Sequence, residues 1–433
     1  MPSYKDTLGY LNSLTNYELT GIGPGAIKFN LGKLRKVLKG MGNPHRDYFS
    51  VHVTGTKGKG SICSFTSCML KEAGYRVGLF TSPHLDTARE RIKVDGKIIS
   101  KKDFADVAEL LRKYIDPGKA FTYFEVLTLM AMLHFSRKKV DYAIFEVGMG
   151  GRFDATNVLN AKVCGIGPVS YDHTYALGNT IKKITREKAE IIKRRAHCVS
   201  SPQRTSALEV IKEKCLEENA SLSLVGKDLT YELVELDEGG SRFNVRGKKG
   251  RYEDCRVNMP GIFQVENCVT AIGICEKLGT RIKGLDEGII KRGIEKAFIP
   301  GRLEVLAREP LVVIDGSQNE ESARRLKSSV ERIFKYNKLI LILGLSKDKD
   351  IRGTCRQLAS MADEIVFTRA SCERAADPLL IRGYIKGKPA RVTRDVKEAL
   401  GVALKKAKKG DMILATGSFY VIGEVRKMLK VQV

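Results

Sequence analysis

The stretch Val51-His52-Val53-Thr54-Gly55-Thr56-Lys57-Gly58-Lys59-Gly60-Ser61 constrains this chain most. Its β-branched start predicts a short strand, its glycines a tight turn, and the residues from Ser61 through Cys68 to Ala73 a helix. Glycines let the backbone curl so that its N–H groups point at an anion, and the helix N-terminus adds partial positive charge. Lys59 would bring a full charge to the β- and γ-phosphates of a nucleotide, and the Ser61 hydroxyl would face phosphate or magnesium. The loop departs from the standard P-loop pattern, because Gly60 separates Lys59 from Ser61 and position 53 is not glycine.

Around this unit the chain alternates between the two periodicities. Strands are predicted at 49–53, 76–80, 142–147, 161–166 and 196–200, with helices at 60–73, 101–115, 124–136, 180–192 and 205–219. Strands separated by helices argue for a doubly wound parallel α/β sheet that binds ligands at its strand C-terminal ends. From about 222 to 257, short segments broken by Gly239-Gly240 and Gly247-Lys248-Lys249-Gly250 suggest a small antiparallel patch. Helices at 264–278 and 285–297 follow, and Pro300-Gly301 then breaks the chain. Beyond it, strands at 311–314, 339–343, 364–368 and 412–416 interleave with helices, as in a second, smaller Rossmann-like α/β domain. The domains are placed at 1–299 and 300–433.

Composition narrows the function classes. With 433 residues, 43% hydrophobic and 29% charged, two or three globular domains are expected. No apolar run is long enough to cross a bilayer, and the first residues carry an acid and no apolar stretch, so no signal peptide is expected. Ten scattered cysteines without a C-x-x-C spacing suit reduced thiols and a cytoplasmic location. The net charge of +25 raises nucleic-acid binding as a possibility. Against it, the lysines are spread along the whole chain, and there is no Trp and no zinc-finger, RRM or homeodomain signature. A basic surface also draws in ATP and carboxylate substrates. A monomer acting on small molecules, without nucleic acid or membrane, is expected.

A second segment, Phe145-Glu146-Val147-Gly148-Met149-Gly150-Gly151-Arg152-Phe153-Asp154-Ala155-Thr156-Asn157, ends a strand in a carboxylate and continues in glycines. An acid there is where a magnesium ligand belongs in a P-loop domain. Tyr171-Asp172-His173-Thr174 and Glu187-Lys188-Ala189 follow; alone, that His reads as an ordinary core or surface residue and that Lys as a solvated one. Thr81-Ser82-Pro83-His84-Leu85 reads as a turn. Thr122-Tyr123-Phe124-Glu125 reads as a helix start whose rings would suit a flat ligand.

Taken together, these segments resemble the folate branch of the Mur ligase superfamily, the folylpolyglutamate synthase/dihydrofolate synthase family. Its Gly-Thr-(Asn or Lys)-Gly-Lys-Gly-Ser loop falls at 55–61 and its Glu-Val-Gly-x-Gly-Gly-Arg-x-Asp-Ala-Thr-Asn signature at 146–157. Ser-Pro-His-Leu, Asp-His-Thr, Gln-x-x-Asn and Pro-Gly-Arg fall at 82–85, 172–174, 264–267 and 300–302. The Asp-Gly-Ala-His-Asn-Pro element is met only in part at 315–320, where Ser317, Gln318 and Glu320 depart from it.

The resemblance implies a P-loop ATPase domain joined to a Rossmann-like domain. ATP contacts would come from Gly55, Thr56, Lys57, Gly58, Lys59, Gly60, Ser61 and Asn267, completed by Arg302 and Asp315 only on domain closure. Magnesium would be held by Ser82, Glu146 and His173, with Lys188 carbamylated to help hold a second cation. Lys59, His173 and Lys188 would be catalytic. The pterin acid would meet Lys28, Phe29, Asn30, Leu31, Thr122, Tyr123, Phe124, Glu125, Phe153, Asp154 and Ala155. The reaction implied is ATP-dependent addition of L-glutamate to dihydropteroate or to the glutamate tail of a folate, through an acyl phosphate. Two alternatives stand beside it: a glutamate ligase acting on another pterin or cofactor acid, and a non-catalytic, basic nucleic-acid-binding relative.

Overall fold

The structure, a computed structural model, describes residues 3–20, 30–115, 120–279 and 285–430. The alternation of strand and helix builds a large sheet from β1 (Phe49–Thr54), β2 (Val77–Phe80), β3 (Ile92–Val94), β4 (Lys97–Ile98), β5 (Tyr142–Glu146), β6 (Val163–Ile166), β7 (His197–Ser200) and β8 (Ser221–Leu224). The strand order is β4-β3-β2-β5-β1-β6-β7-β8. All pairs from β2 to β8 are parallel, and β3 and β4 add an antiparallel edge. The phosphate-loop strand β1 is central, with β5 on one side and β6 on the other. Loops leaving the C-terminal ends of these three strands therefore converge, as the switch-point rule requires.

Each face of this sheet is covered, which is why its strands read as continuous apolar runs. Helix Lys59–Glu72 packs against Ile262–Leu278 and Glu287–Glu295 on one face, and Lys101–Arg112 and Tyr123–Arg137 cover part of the other. Helix Lys59–Glu72 begins two residues before the predicted Ser61, because Gly58 adopts φ 76° and starts the first turn there. Residues 221–224 are a second difference. They form β8, parallel to β7, so the βαβ alternation runs one strand further than the change in sequence texture suggested. The antiparallel patch itself comprises β9 (Thr230–Asp237), β10 (Gly240–Arg246) and β11 (Arg251–Val257). The buried Glu276 carboxylate ties it to helix Ile262–Leu278 by accepting from the Lys248 and Lys249 N–H groups and the Tyr252 hydroxyl.

After residue 300 a second sheet forms from β12 (Glu304–Arg308), β13 (Leu311–Asp315), β14 (Leu339–Leu343), β15 (Glu364–Phe367), β16 (Ala390–Val392) and β17 (Met412–Thr416), ordered β12-β13-β17-β14-β15-β16. It is parallel except for β12. The edge strands β12 and β16 carry charged, half-exposed residues and no long apolar run, so the sequence reading passed over them. Apolar clusters fill both faces. No helix among the described residues is long and apolar enough to cross a membrane.

Candidate functional site

The C-terminal ends of β1, β5, β6, β13 and β17 open into one cavity of about 280 Å³ between the two sheets. The phosphate loop lines one wall. Gly58 must be glycine there for two reasons: its φ is positive, and a Cβ on it would stand 2.2 Å from Asn267 Oδ1. Thr56 N–H donates to Pro168 O at 2.9 Å and Thr56 Oγ1 to Ser170 O at 3.1 Å, bracing the loop against the segment after β6. Lys59, on the first helical turn, donates to Gly55 O at 3.2 Å.

Glu146 ends β5 and is buried. Its Oε2 accepts the Ser82 N–H at 2.9 Å. A Cβ on Gly60 would lie 3.3 Å from that oxygen, so glycine lets the helix N-terminus come up to the carboxylate. Burial raises the Glu146 pKa, against the pull of Lys59, Ser82 N–H and Arg302. Oε1 has no hydrogen-bond donor among the described residues. A buried carboxylate with one open oxygen beside a phosphate-cradling loop fits a magnesium ion, which takes one or two carboxylates plus phosphate and water. No three His, Cys, Asp or Glu side chains gather into a metal cage among the described residues. Ser82 and Glu146 adjoin, and His173 lines the same cavity with Nδ1 3.0 Å from the Tyr175 hydroxyl.

Lys188 is not a solvated helix lysine. It occupies the last turn of helix Ile181–Ala189, is 5% exposed, and donates to Gly55 O at 3.0 Å. Burial, reinforced by Lys59, lowers its pKa to about 7. The glycines after Glu146 hold it there. A Cβ on Gly151 would be 2.5 Å from Glu187 O, and Arg152 N–H donates to that carbonyl at 2.8 Å. Lys57 is likewise lowered to about 7 by burial, against the pull of Asp172 and with Lys349, Arg302 and Lys59 adding to the lowering. His173 falls to about 3 through burial, so its ring is neutral at physiological pH.

At the other end, Phe124, Phe153, Pro83 and Ala155 give the cavity apolar walls. Thr122 and Glu125 also line it, yet both are engaged. They form the capping box of helix Tyr123–Arg137, and Glu125 Oε2 is 2.7 Å from Lys33 Nζ. Asp154 lines it as well, with its carboxylate held by Met149 and Thr156 N–H groups at 3.0 Å each.

Three of the expected substrate-side residues do not line the cavity. Tyr123 does not line the cavity; its side chain turns into the core under the Arg91 guanidinium, 5.5 Å from the ring centroid. Asn30 and Leu31 do not line it either, because Asn30 caps helix Leu31–Gly40 through Oδ1 and Gly32 N–H at 2.8 Å. Lys28 and Phe29 lie outside the described residues. Arg302 and Asp315, expected to complete the nucleotide site on closure, line the same cavity as the phosphate loop. Arg302 lies 4.7 Å from the Phe419 ring centroid. The Asp315 carboxylate accepts from Leu303 N–H at 3.0 Å, Ser317 N–H at 2.9 Å and Ser317 Oγ at 2.6 Å, so it braces the interdomain connection.

Several cavity residues carried no assigned role in the sequence reading. Asp172 pairs with Lys349, and Arg374 makes a bidentate pair with Asp348. The Glu18 carbonyl accepts from Tyr420 OH at 2.8 Å and Arg374 Nη1 at 3.1 Å, and the Glu18 carboxylate pairs with buried Arg91.

Comparison with known proteins agrees with this architecture. The Mur ligase middle domain family matches residues 53–275, and the Mur ligase glutamate ligase domain family matches residues 301–419. The chain is 31% identical to the dihydrofolate synthase/folylpolyglutamate synthase of Bacillus subtilis over 437 residues, covering 99% of each. It is 32% identical to that of Mycobacterium tuberculosis over 399 residues, 86% of this chain and 82% of the relative. Among solved structures, M. tuberculosis folylpolyglutamate synthase complexed with ADP and AMPPCP superposes with a TM-score of 0.87 at 30% identity, covering 93% of this chain and 95% of that one. E. coli FolC in complex with DHPP and ADP superposes with a TM-score of 0.89 at 26% identity over the whole of both chains. With its sequence matched end to end and both domain families in order, the chain belongs to the dihydrofolate synthase/folylpolyglutamate synthase family of Mur ligases.

Proposed function

We propose that this protein is an ATP-dependent ligase that joins L-glutamate to a pterin-bearing acid, dihydropteroate or a (tetrahydro)folate with its glutamate tail. One observation carries the reading: a phosphate-cradling loop with Lys59 and an aromatic-walled recess open into the same cavity. The nucleotide phosphates lie on the 55–61 backbone with Lys59, and Asn267 and Arg302 contact the rest. Ser82, Glu146 and His173 would hold magnesium, and a carbamylated Lys188 would help hold a second cation, supplying positive charge to the phosphates. The acid lies against Phe124, Phe153, Asp154 and Ala155, with its carboxylate toward the loop.

A carboxylate is a poor electrophile at neutral pH. Its oxygen attacks the γ-phosphorus of ATP, the bond from that phosphorus to the β–γ bridging oxygen breaks, ADP leaves, and the acid becomes an acyl phosphate. The glutamate amine then attacks the acyl carbon, phosphate leaves, and an amide remains. Lys59, Lys57 and Lys349 surround the charge that develops on the transferring group. The domain boundary at 299/300 follows the break between helix Glu287–Glu295 and β12. The chain works as a monomer in the cytoplasm, where its ten free cysteines stay reduced. Its basic surface serves anionic substrates, so any DNA or RNA binding falls steeply with salt.

Glutamate-dependent phosphate release, measured with dihydropteroate, with tetrahydrofolate and with no acceptor, tests this. Release should require glutamate and at least one acceptor. Equal release in all arms would exclude the ligase reading.

A further inference from the structure

His52 lies on β1 and is fully buried, two residues before the end of the strand. Its Nε2 is 2.7 Å from Thr156 Oγ1, which is 2.5 Å from Asp154 Oδ1. The far end of this chain of hydrogen bonds sets the direction of every proton in it. A carboxylate only accepts, so the Thr156 hydroxyl donates to Asp154 and offers its lone pair to His52. The network therefore assigns the His52 proton to Nε2. Nδ1 is left as a bare, buried lone pair, and it meets no partner among the described residues. Burial, with Lys193 adding to it, lowers the His52 pKa to about 3, so the ring stays neutral and keeps this polarity.

The chain joins two parts of the cavity that have separate supports. The phosphate loop is braced by the 166–170 segment, through Gly167 N–H to Thr54 O at 2.8 Å and the Thr56 contacts given above. Asp154 belongs to the 148–157 segment, whose other tie to β1 is Thr54 Oγ1 to Gly150 O at 2.8 Å. Without His52 that tie and the Met149 and Thr156 N–H bonds to Asp154 would remain, while the Thr156 hydroxyl could turn away and leave Asp154 Oδ1 without its short side-chain donor.

We propose that His52 is a positioning residue that acts through Thr156 to fix the Asp154 carboxylate, and thereby sets affinity for the acid substrate but not for ATP. The proposal rests on the ligase reading for its substrate, and on the hydrogen-bond chain alone for its geometry.

Four variants and one spectrum test it. His52→Leu and Thr156→Val remove a member of the chain, whereas His52→Gln keeps an N–H donor and Thr156→Ser keeps the hydroxyl. His52→Leu and Thr156→Val should raise KM for the acid about tenfold or more, the scale of a lost hydrogen bond to a charged group, with KM for ATP within about twofold of wild type. His52→Gln and Thr156→Ser should recover most of the loss. Parallel rises in both KM values, or a Gln variant no better than the Leu variant, would overturn the proposal. Should His52→Leu fail to fold, Thr156→Val and Thr156→Ser carry the same comparison.

Nitrogen NMR of the histidine-labelled wild type reads the geometry without turnover. The expected result is a slowly exchanging Nε2–H on His52 that shifts in Thr156→Val. A proton on Nδ1 would refute the relay. A wild type inactive with every acceptor would instead refute the ligase reading, leaving the tautomer to decide the relay.

Discussion

Lys349 Nζ stands 2.7 Å from Asp172 Oδ1, joining the two domains across the cavity through a pair that is almost entirely out of solvent. Burial alone would raise the Asp172 carboxyl. His173, Lys349 and Lys57 outweigh it and hold the group well below its ordinary value, with the Lys349 hydrogen bond adding to this.

Lys349→Met leaves a buried carboxylate without its ion-pair partner, facing Lys57 and the His173 N–H. Removing one partner of such a pair costs about 3 kcal/mol or more, and Asp172→Asn with Lys349→Met together should cost less than Lys349→Met by itself. Because the folded pKa is depressed, the stabilisation is present above the unfolded carboxylate pKa and is lost as pH falls through the folded value. The gap in melting temperature between wild type and Lys349→Met should therefore narrow in acid. A gap constant from neutral pH down into acid would show that the pair does not stabilise the interface.

Lys59→Ala should reduce turnover by about a thousandfold or more, the scale of removing a group aimed at transition-state charge, while circular dichroism stays that of wild type. Turnover within about tenfold of wild type would remove the lysine from the reaction.

Glu146→Gln keeps the acceptor for Ser82 N–H but loses the charge that the open oxygen would offer a cation. It and His173→Ala should each raise the magnesium concentration that gives half-maximal activity, and stripping the metal with a chelator should abolish turnover. A magnesium titration unchanged in both variants would exclude them as ligands.

For Lys188, a pKa near 7 in a buried site means that the neutral amine, the form able to attack CO2, becomes the majority as pH rises through that value. Labelled bicarbonate should give a carbamate carbon resonance in the wild type, stronger above pH 7 than below it and absent from Lys188→Ala. That variant should be nearly inactive, with acetate or formate restoring part of its activity. Full activity in Lys188→Ala would leave the lysine a structural role only.

Local sequence determined most of the architecture, because its causes are local. The glycine at position 58, the capping residues of the helices and the apolar runs of β1, β5, β6, β13, β14 and β17 act within a few residues, and each was legible. The phosphate loop and Glu146 could be named for the same reason, since both lie at the ends of strands that the periodicity marks, whereas His173 was marked only by the family resemblance. Tertiary structure decided what depends on partners distant in sequence. Tyr123 and Phe124 are neighbours with similar rings, yet one turns under Arg91 in the core and the other faces the cavity. Lys188 looked like its solvated helix neighbours until burial against Gly55 changed its charge. Asp172 and Lys349 are 177 positions apart, and no spacing in the chain announces that they meet. Desolvation and pairing belong to the packed interior, where a charge must find its counterpart, and only the fold chooses which one it finds.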